Sequence, residues 1–390
     1  MSWTNSAVLS LGFRPFFAGA AIFSILATVA WLGAWLPGRE WPGGSMTAMN
    51  WHAHEMIFGY AMAVVAGFLL TAARNWTGVQ TLRGVPLLML VICWLAARVL
   101  LALGDSVPLL WAAVADCLFD ALLLAAVACP VIRVRQYRQI GILSKVALLL
   151  MANLLFYAGM LGLFPGGTRA GLYTGVYMLM ALILVMARRV LPFFIEKGLS
   201  AAALKNRKWL DVTSLVLFLV FWVVDVWRPD SAPVAALAGL LCMLHAVRLG
   251  GWYRPGLMRM PMLWVLFLGY LALVLGFALK AAVYLFGLSP MPALHAFTYG
   301  GIGLFTLGMM VRVTLGHTGR DIRQPPAVVT VMFALLVAGT LLRVLLPLLD
   351  PVHYQFWIAL AGCCWILGFG MFLVRFLPML VRPRIDGLPG

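Results

Sequence analysis

Negative charge is scarce in this chain. Its 390 residues hold 12 Asp and Glu against 28 Lys and Arg, and charged residues of both signs make up only 10%. Polar stretches long enough to fold alone are missing too. The longest connection between apolar runs, Arg188 to Trp209, is too short for a soluble domain. Cysteine gives no framework. Cys93, Cys117, Cys129, Cys242, Cys363 and Cys364 fall in or beside apolar segments, with no zinc-knuckle or disulfide spacing. They read as small packing residues, although Cys117 or Cys363 could act as a soft copper ligand. Histidine is rare, with six in the chain.

What remains is hydrophobic. Apolar residues are 64% of the chain and the mean hydropathy is +1.01. That composition marks an all-α polytopic membrane protein. Twelve apolar segments can be read: 15–37, 52–74, 84–104, 108–132, 144–164, 170–195, 209–228, 232–250, 261–288, 293–315, 326–349 and 353–380. Twelve transmembrane helices in one integral membrane domain, 1–390, are therefore expected. No cleavable signal peptide is evident, because the first run follows Arg14 and is long enough to remain a spanning helix.

The formal charge of +16 invites a nucleic-acid reading, but its distribution excludes one. The N-terminus, the even-numbered loops and the C-terminal tail hold 22 Lys and Arg; the odd loops hold Arg39, Arg169 and Arg228. This asymmetry follows the positive-inside rule and predicts both termini in the cytoplasm. Trp31, Trp35, Trp41 and Trp51 then read as an aromatic belt at the outer interface.

The chain repeats itself. Shifting the second helix by 241 residues carries His54 onto His295, Gly59 onto Gly300, Gly67 onto Gly308 and Thr77-Gly78 onto Thr318-Gly319. The next helices match at 245, where Arg98-Val99-Leu100-Leu101 meets Arg343-Val344-Leu345-Leu346. A fainter middle copy lies about halfway, at Met186-Ala187-Arg188-Arg189-Val190. Three pseudo-repeated four-helix units, 1–140, 141–255 and 256–390, are the simplest expectation.

Where charge is so scarce, ionisable groups in apolar runs carry information. The richest stretch is Trp51-His52-Ala53-His54-Glu55-Met56, which opens the second run. Imidazoles bind transition metals and haem iron. On a regular helix His52 and His54 diverge by about 200°, so they cannot chelate one ion together. The repeat nominates His295 as the partner of His54. His353 lies at similar depth on the outer side and joins the candidate metal ligands, although a surface histidine is the simpler reading. Such a set suits haem iron held from both sides, or one haem plus a copper ion.

Glu55 is a candidate proton relay, metal ligand or partner of an imidazole. Asp116 and Asp120, four apart, share a helix face and could line a proton path or pair with Arg98. Arg98 and Arg343 suit haem propionates through their planar forks; snorkelling to the interface is the alternative. Lys280 has no partner visible in sequence. Gly300, Gly301, Gly303 and Gly308 allow close helix packing, or room for a flat cofactor.

Several segments resemble the NnrS family of bacterial membrane proteins: Gly12-Phe13-Arg14-Pro15-Phe16-Phe17, the Trp51–Met56 stretch, Gly67-Phe68-Leu69-Leu70-Thr71 and Asn75-Trp76-Thr77-Gly78. Arg189-Val190-Leu191-Pro192-Phe193-Phe194 and Leu315-Gly316-His317-Thr318-Gly319-Arg320 follow in order. This sequence has Ala73-Arg74 where the family pattern leads one to expect a proline. The resemblance implies a haem b and copper protein of the bacterial inner membrane, linked to the response to nitric oxide. It implies nitric oxide or a related small ligand and an electron donor of unknown identity. It adds His317 to the cofactor candidates beside His52, His54 and Glu55. The architecture is also similar to the twelve-helix core of haem–copper oxidases, but the sixth helix offers Tyr173 and Tyr177 and no histidine. Function does not follow from fold. Two functions remain open: a haem protein that binds or metabolises nitric oxide, with Glu55 in the proton chemistry, or a transporter of copper, haem or an iron–nitrosyl species.

Overall fold

A chain this apolar must satisfy its backbone within each segment, because lipid offers no hydrogen bonds. The computed structural model does so with helices. It describes residues 6–34, 44–200, 202–204 and 207–388, and no strand occurs among them. Trp35, Arg39, Trp41 and Lys205 lie outside the described residues.

Among the described residues, twelve helices are long and apolar enough to span a membrane: α1 Phe13–Ala34, α2 Ala48–Thr77, α3 Val85–Ala102, α4 Leu109–Arg133, α5 Tyr137–Met160, α6 Gly167–Leu199, α7 Lys208–Trp227, α8 Ala232–Trp252, α9 Pro261–Phe286, α10 Met291–His317, α11 Val328–Leu349 and α12 Tyr354–Val381. Their ends follow local chemistry. Thr47 caps α2 by accepting the Asn50 backbone N–H at 3.2 Å. Gly78, at φ 69°, closes α2 in the left-handed conformation that glycine adopts freely.

Two boundaries differ from the hydropathy reading. The segment expected at 144–164 is α5, which starts seven residues earlier and stops at Met160. Gly162, at φ 73°, turns the chain before Leu163 and Phe164 can extend the helix, and Gly166, at φ 81°, turns it again before α6. The connection expected from Arg188 is largely helical, since α6 runs 33 residues to Leu199 with Pro192 inside it. Arg188, Arg189 and Lys197 end the apolar run without breaking the helix, because long basic side chains are good helix formers.

The chain divides into two compact units. One comprises Met1–Met178, Met309–Ile322 and Phe369–Gly390; the other comprises Leu179–Gly308 and Arg323–Gly368. In the first, α2 is the most enclosed span. Gly67 admits the Phe17 ring and the Phe13 backbone, so α1 and α2 approach closely. In the second, α9 and α10 are the most enclosed. A Cβ at Gly308 would meet Leu266 and Val265, both within 3.0 Å.

Candidate functional site

The two nominated histidines share a rare backbone feature. Immediately after His54, residues Glu55–Ala61 form a π-helical segment; immediately after His295, Ala296–Gly303 form another. The offset of 241 carries one onto the other. Segments of this kind are uncommon and cluster at functional sites, since i→i+5 bonding displaces side chains around the axis. Glycine makes each one fit. A Cβ at Gly59 would strike Phe23 of α1 and Arg98 of α3; at Gly300 it would strike Ala272 of α9 and Thr340 of α11. The Gly59 carbonyl accepts the Trp94 indole N–H at 3.0 Å.

In the first unit, His54 and Glu55 open onto a sealed polar cluster. His54, Glu55, Asp116, Asp120 and Asn153 are fully buried. Arg98 bridges Glu55 and Asp116. His54 Nδ1 lies 3.0 Å from Glu55 Oε1, and Nε2 lies 3.1 Å from the Asn153 side-chain oxygen. The Asn153 amide donates to Asp120 Oδ2 at 2.9 Å, and the Tyr157 hydroxyl donates to Asp116 Oδ2 at 3.1 Å. Phe58, Phe156 and Tyr157 wall the imidazole, with ring centroids 4.3–5.2 Å away. Arg98 is buried and does not snorkel; of the sequence expectations, the ion pair with the α4 carboxylates is the one it makes. Asp116 pairs with it and Asp120 does not.

In the second unit, His295 sits half-buried on α10. Its Nδ1 is 2.9 Å from the Met291 carbonyl oxygen and its Nε2 is 3.0 Å from Arg343 Nη2. A guanidinium can only donate, so Nε2 accepts and the ring hydrogen resides on Nδ1. Arg343 is itself buried. The glycines of this stretch are filled by neighbours: Leu273 faces Gly301 and Trp365 faces Gly303. They serve close packing rather than room for a flat group.

The other nominated residues lie elsewhere. His52 stacks on the Trp31 ring of α1 at 4.4 Å and 19°. His353 is exposed and bonds Asp350 at 2.8 Å. His317 ends α10 with its ring 5.6 Å from Phe13, and its carbonyl accepts from Arg384 at 3.2 Å.

Sequence reasoning missed a second buried polar group in the second unit. Arg248 donates to Asp211 at 2.9 Å, Ser214 at 3.0 Å and Tyr270 at 3.2 Å, and Tyr270 lies 2.6 Å from His245 Nδ1. The available signal was His245 and Arg248 three apart near the end of an apolar run. Lys280, without a partner in sequence, pairs with Asp225 at 2.8 Å and Asp230 at 3.0 Å.

The architecture and the motif order can now be set beside known proteins. The family described as NnrS protein matches residues 7–384, nearly the whole chain. The chain belongs to the NnrS family. It is thus a multi-pass membrane protein of the nitric oxide response. No curated protein matches it. Several NnrS-like motifs have structural duties here. Arg14 of the Gly12–Phe17 stretch is buried and donates to the carbonyls of Leu380 at 2.9 Å and Arg382 at 2.7 Å, at the C-terminal end of α12, where carbonyls lack intrahelical donors. Gly319 of the His317-Thr318-Gly319 stretch has φ 79°, and a Cβ there would press on the Asp386 carboxylate.

Proposed function

We propose that this protein carries haem b and binds nitric oxide, with His295 as an iron ligand and Arg343 as the cationic neighbour of the haem propionates or the bound ligand. The state of His295 carries the reading. Its Nδ1 hydrogen is committed to the Met291 carbonyl, the orientation that ligating imidazoles usually have. Its Nε2 lone pair accepts from the Arg343 side chain at 3.0 Å, so iron at that nitrogen would take the place of this hydrogen bond and leave the guanidinium free for an anionic group. The ring is half-buried, so it is reachable. Haem would supply a redox-active iron that takes a diatomic ligand. The chain's own residues would orient the imidazole and place one positive charge beside it.

His54 suits that role less. Both of its nitrogens are engaged, and aromatic rings enclose it. Copper receives no ligand set: among the described residues, no three His, Cys, Asp or Glu side chains are grouped to hold an ion.

The test is an absorbance spectrum of protein purified after haem-sufficient expression, followed by anaerobic titration with nitric oxide. A Soret band that shifts on titration is expected. Protein without haem overturns the reading. Haem- or metal-dependent uptake into vesicles, with no cofactor retained, would favour the transporter.

A further inference from the structure

We propose that Asp120 is a proton-binding site, holding a proton on Oδ1 inside the sealed cluster of the first unit. The inference rests on hydrogen-bond and charge accounting and is independent of haem. The Asn153 amide nitrogen donates to Asp120 Oδ2, so its oxygen faces His54 Nε2, and Nε2 must carry a hydrogen. His54 Nδ1 and Glu55 Oε1 then share one further proton. As imidazolium with carboxylate, or as neutral ring with carboxylic acid, the pair sums to zero. Arg98 balances Asp116, which also accepts from Tyr157. Asp120 is left over.

Among the described residues, Arg98 and the His54–Glu55 pair are the charged neighbours that face Asp120 besides Asp116. α2 presents His54 and Glu55, α3 presents Arg98, and α5 presents Asn153 and Tyr157. α4 itself adds Asp116 and the Cys117 thiol, and the nearby Cys93 thiol of α3 donates to the Ala115 carbonyl. α1 contributes the Phe16 ring, packed on Phe119. The Oδ1 atom has no partner and no exposure, as does Glu55 Oε2. A buried carboxylate without a cation is strongly disfavoured and neutralises instead. A water molecule could meet the hydrogen bond but not the charge. The proton on Oδ1 makes the cluster neutral, and it leaves when positive charge enters or the seal opens.

Infrared spectroscopy of the full-length protein in lipid at neutral pH tests this. A carboxylic-acid C=O stretch is expected, shifting in heavy water, shifting again when aspartate carries a carbon-13 side-chain label, and with that label-sensitive band lost in Asp120→Asn. The labelling arm uses unaltered protein, so it decides the matter even if a variant does not fold. No protonated-carboxyl band, a band insensitive to aspartate labelling, or a band unchanged in folded Asp120→Asn overturns the proposal.

Discussion

Arg343 donates from Nη2 to Nε2 of His295 across 3.0 Å, and so fixes which nitrogen of that ring carries the hydrogen. Arg98, 245 residues earlier, instead bridges two carboxylates. The two arginines thus serve an imidazole in one unit and an acidic cluster in the other. Ala296, 241 residues after Glu55, carries no carboxylate.

The proposed pairing of Arg343 with a haem propionate predicts its own variants. A hydrogen bond between charged groups contributes about 1.5–3 kcal/mol, so Arg343→Ala should weaken haem retention by roughly tenfold or more. Arg343→Lys keeps the charge and should retain more haem than Arg343→Ala. The haem-to-protein ratio after dialysis against a haem scavenger measures it, and equal ratios in all three proteins contradict the role.

The paired glycines predict paired losses of stability. Gly59→Ala and Gly300→Ala should each lower stability by about 1–3 kcal/mol through overpacking. Gly370→Ala meets nothing within 4 Å and should be neutral or slightly stabilising. Thermal unfolding in detergent compares them. Unchanged midpoints for Gly59→Ala and Gly300→Ala would show that both segments yield easily.

The tail offers a pH prediction outside the spans. Arg384 bonds Asp386 through two nitrogens at 2.8 and 2.5 Å, and these bonds hold the Asp386 carboxyl down to about 2 from 3.8. The folded state prefers the ionised form. Its contribution is complete above the unfolded value of 3.8 and is lost as pH falls through about 2. Carbon-13 NMR of the aspartate side chains should show a midpoint near 2 that returns toward the ordinary value in Arg384→Ala. A midpoint already at 3.8 in the native protein contradicts the pairing.

Charge asymmetry predicts orientation. Single cysteines introduced at Arg135 and Arg254 should react with an impermeant thiol reagent only from the cytoplasmic side, and one at Arg169 only from the outer side, in a background lacking the six native cysteines. The reverse pattern would invert the topology.

The twelve spans were legible because hydropathy reports lipid-compatible length directly. Where it erred, a glycine turn at Gly162 ended α5 inside an apolar stretch, and basic residues left α6 intact. The cluster was half legible. Glu55, Arg98, Asp116 and Asp120 stand out as charges in apolar runs, but Asn153 and Tyr157, which tie them together, are ordinary polar residues in sequence. The π-helical segments leave no mark on hydropathy, since they change hydrogen bonding rather than composition. His245 and Arg248 stood in the sequence without a role because their partners, Tyr270 and Asp211, come from helices distant in sequence.

The assignment of His295 is tested most directly by comparing absorbance spectra of purified wild type, His295→Ala and His54→Gln. The account predicts a Soret band in wild type that is lost or strongly shifted in His295→Ala and kept in His54→Gln, whose amide can still bond its neighbours. A band that survives His295→Ala unchanged, or that disappears with His54→Gln in folded protein, contradicts it.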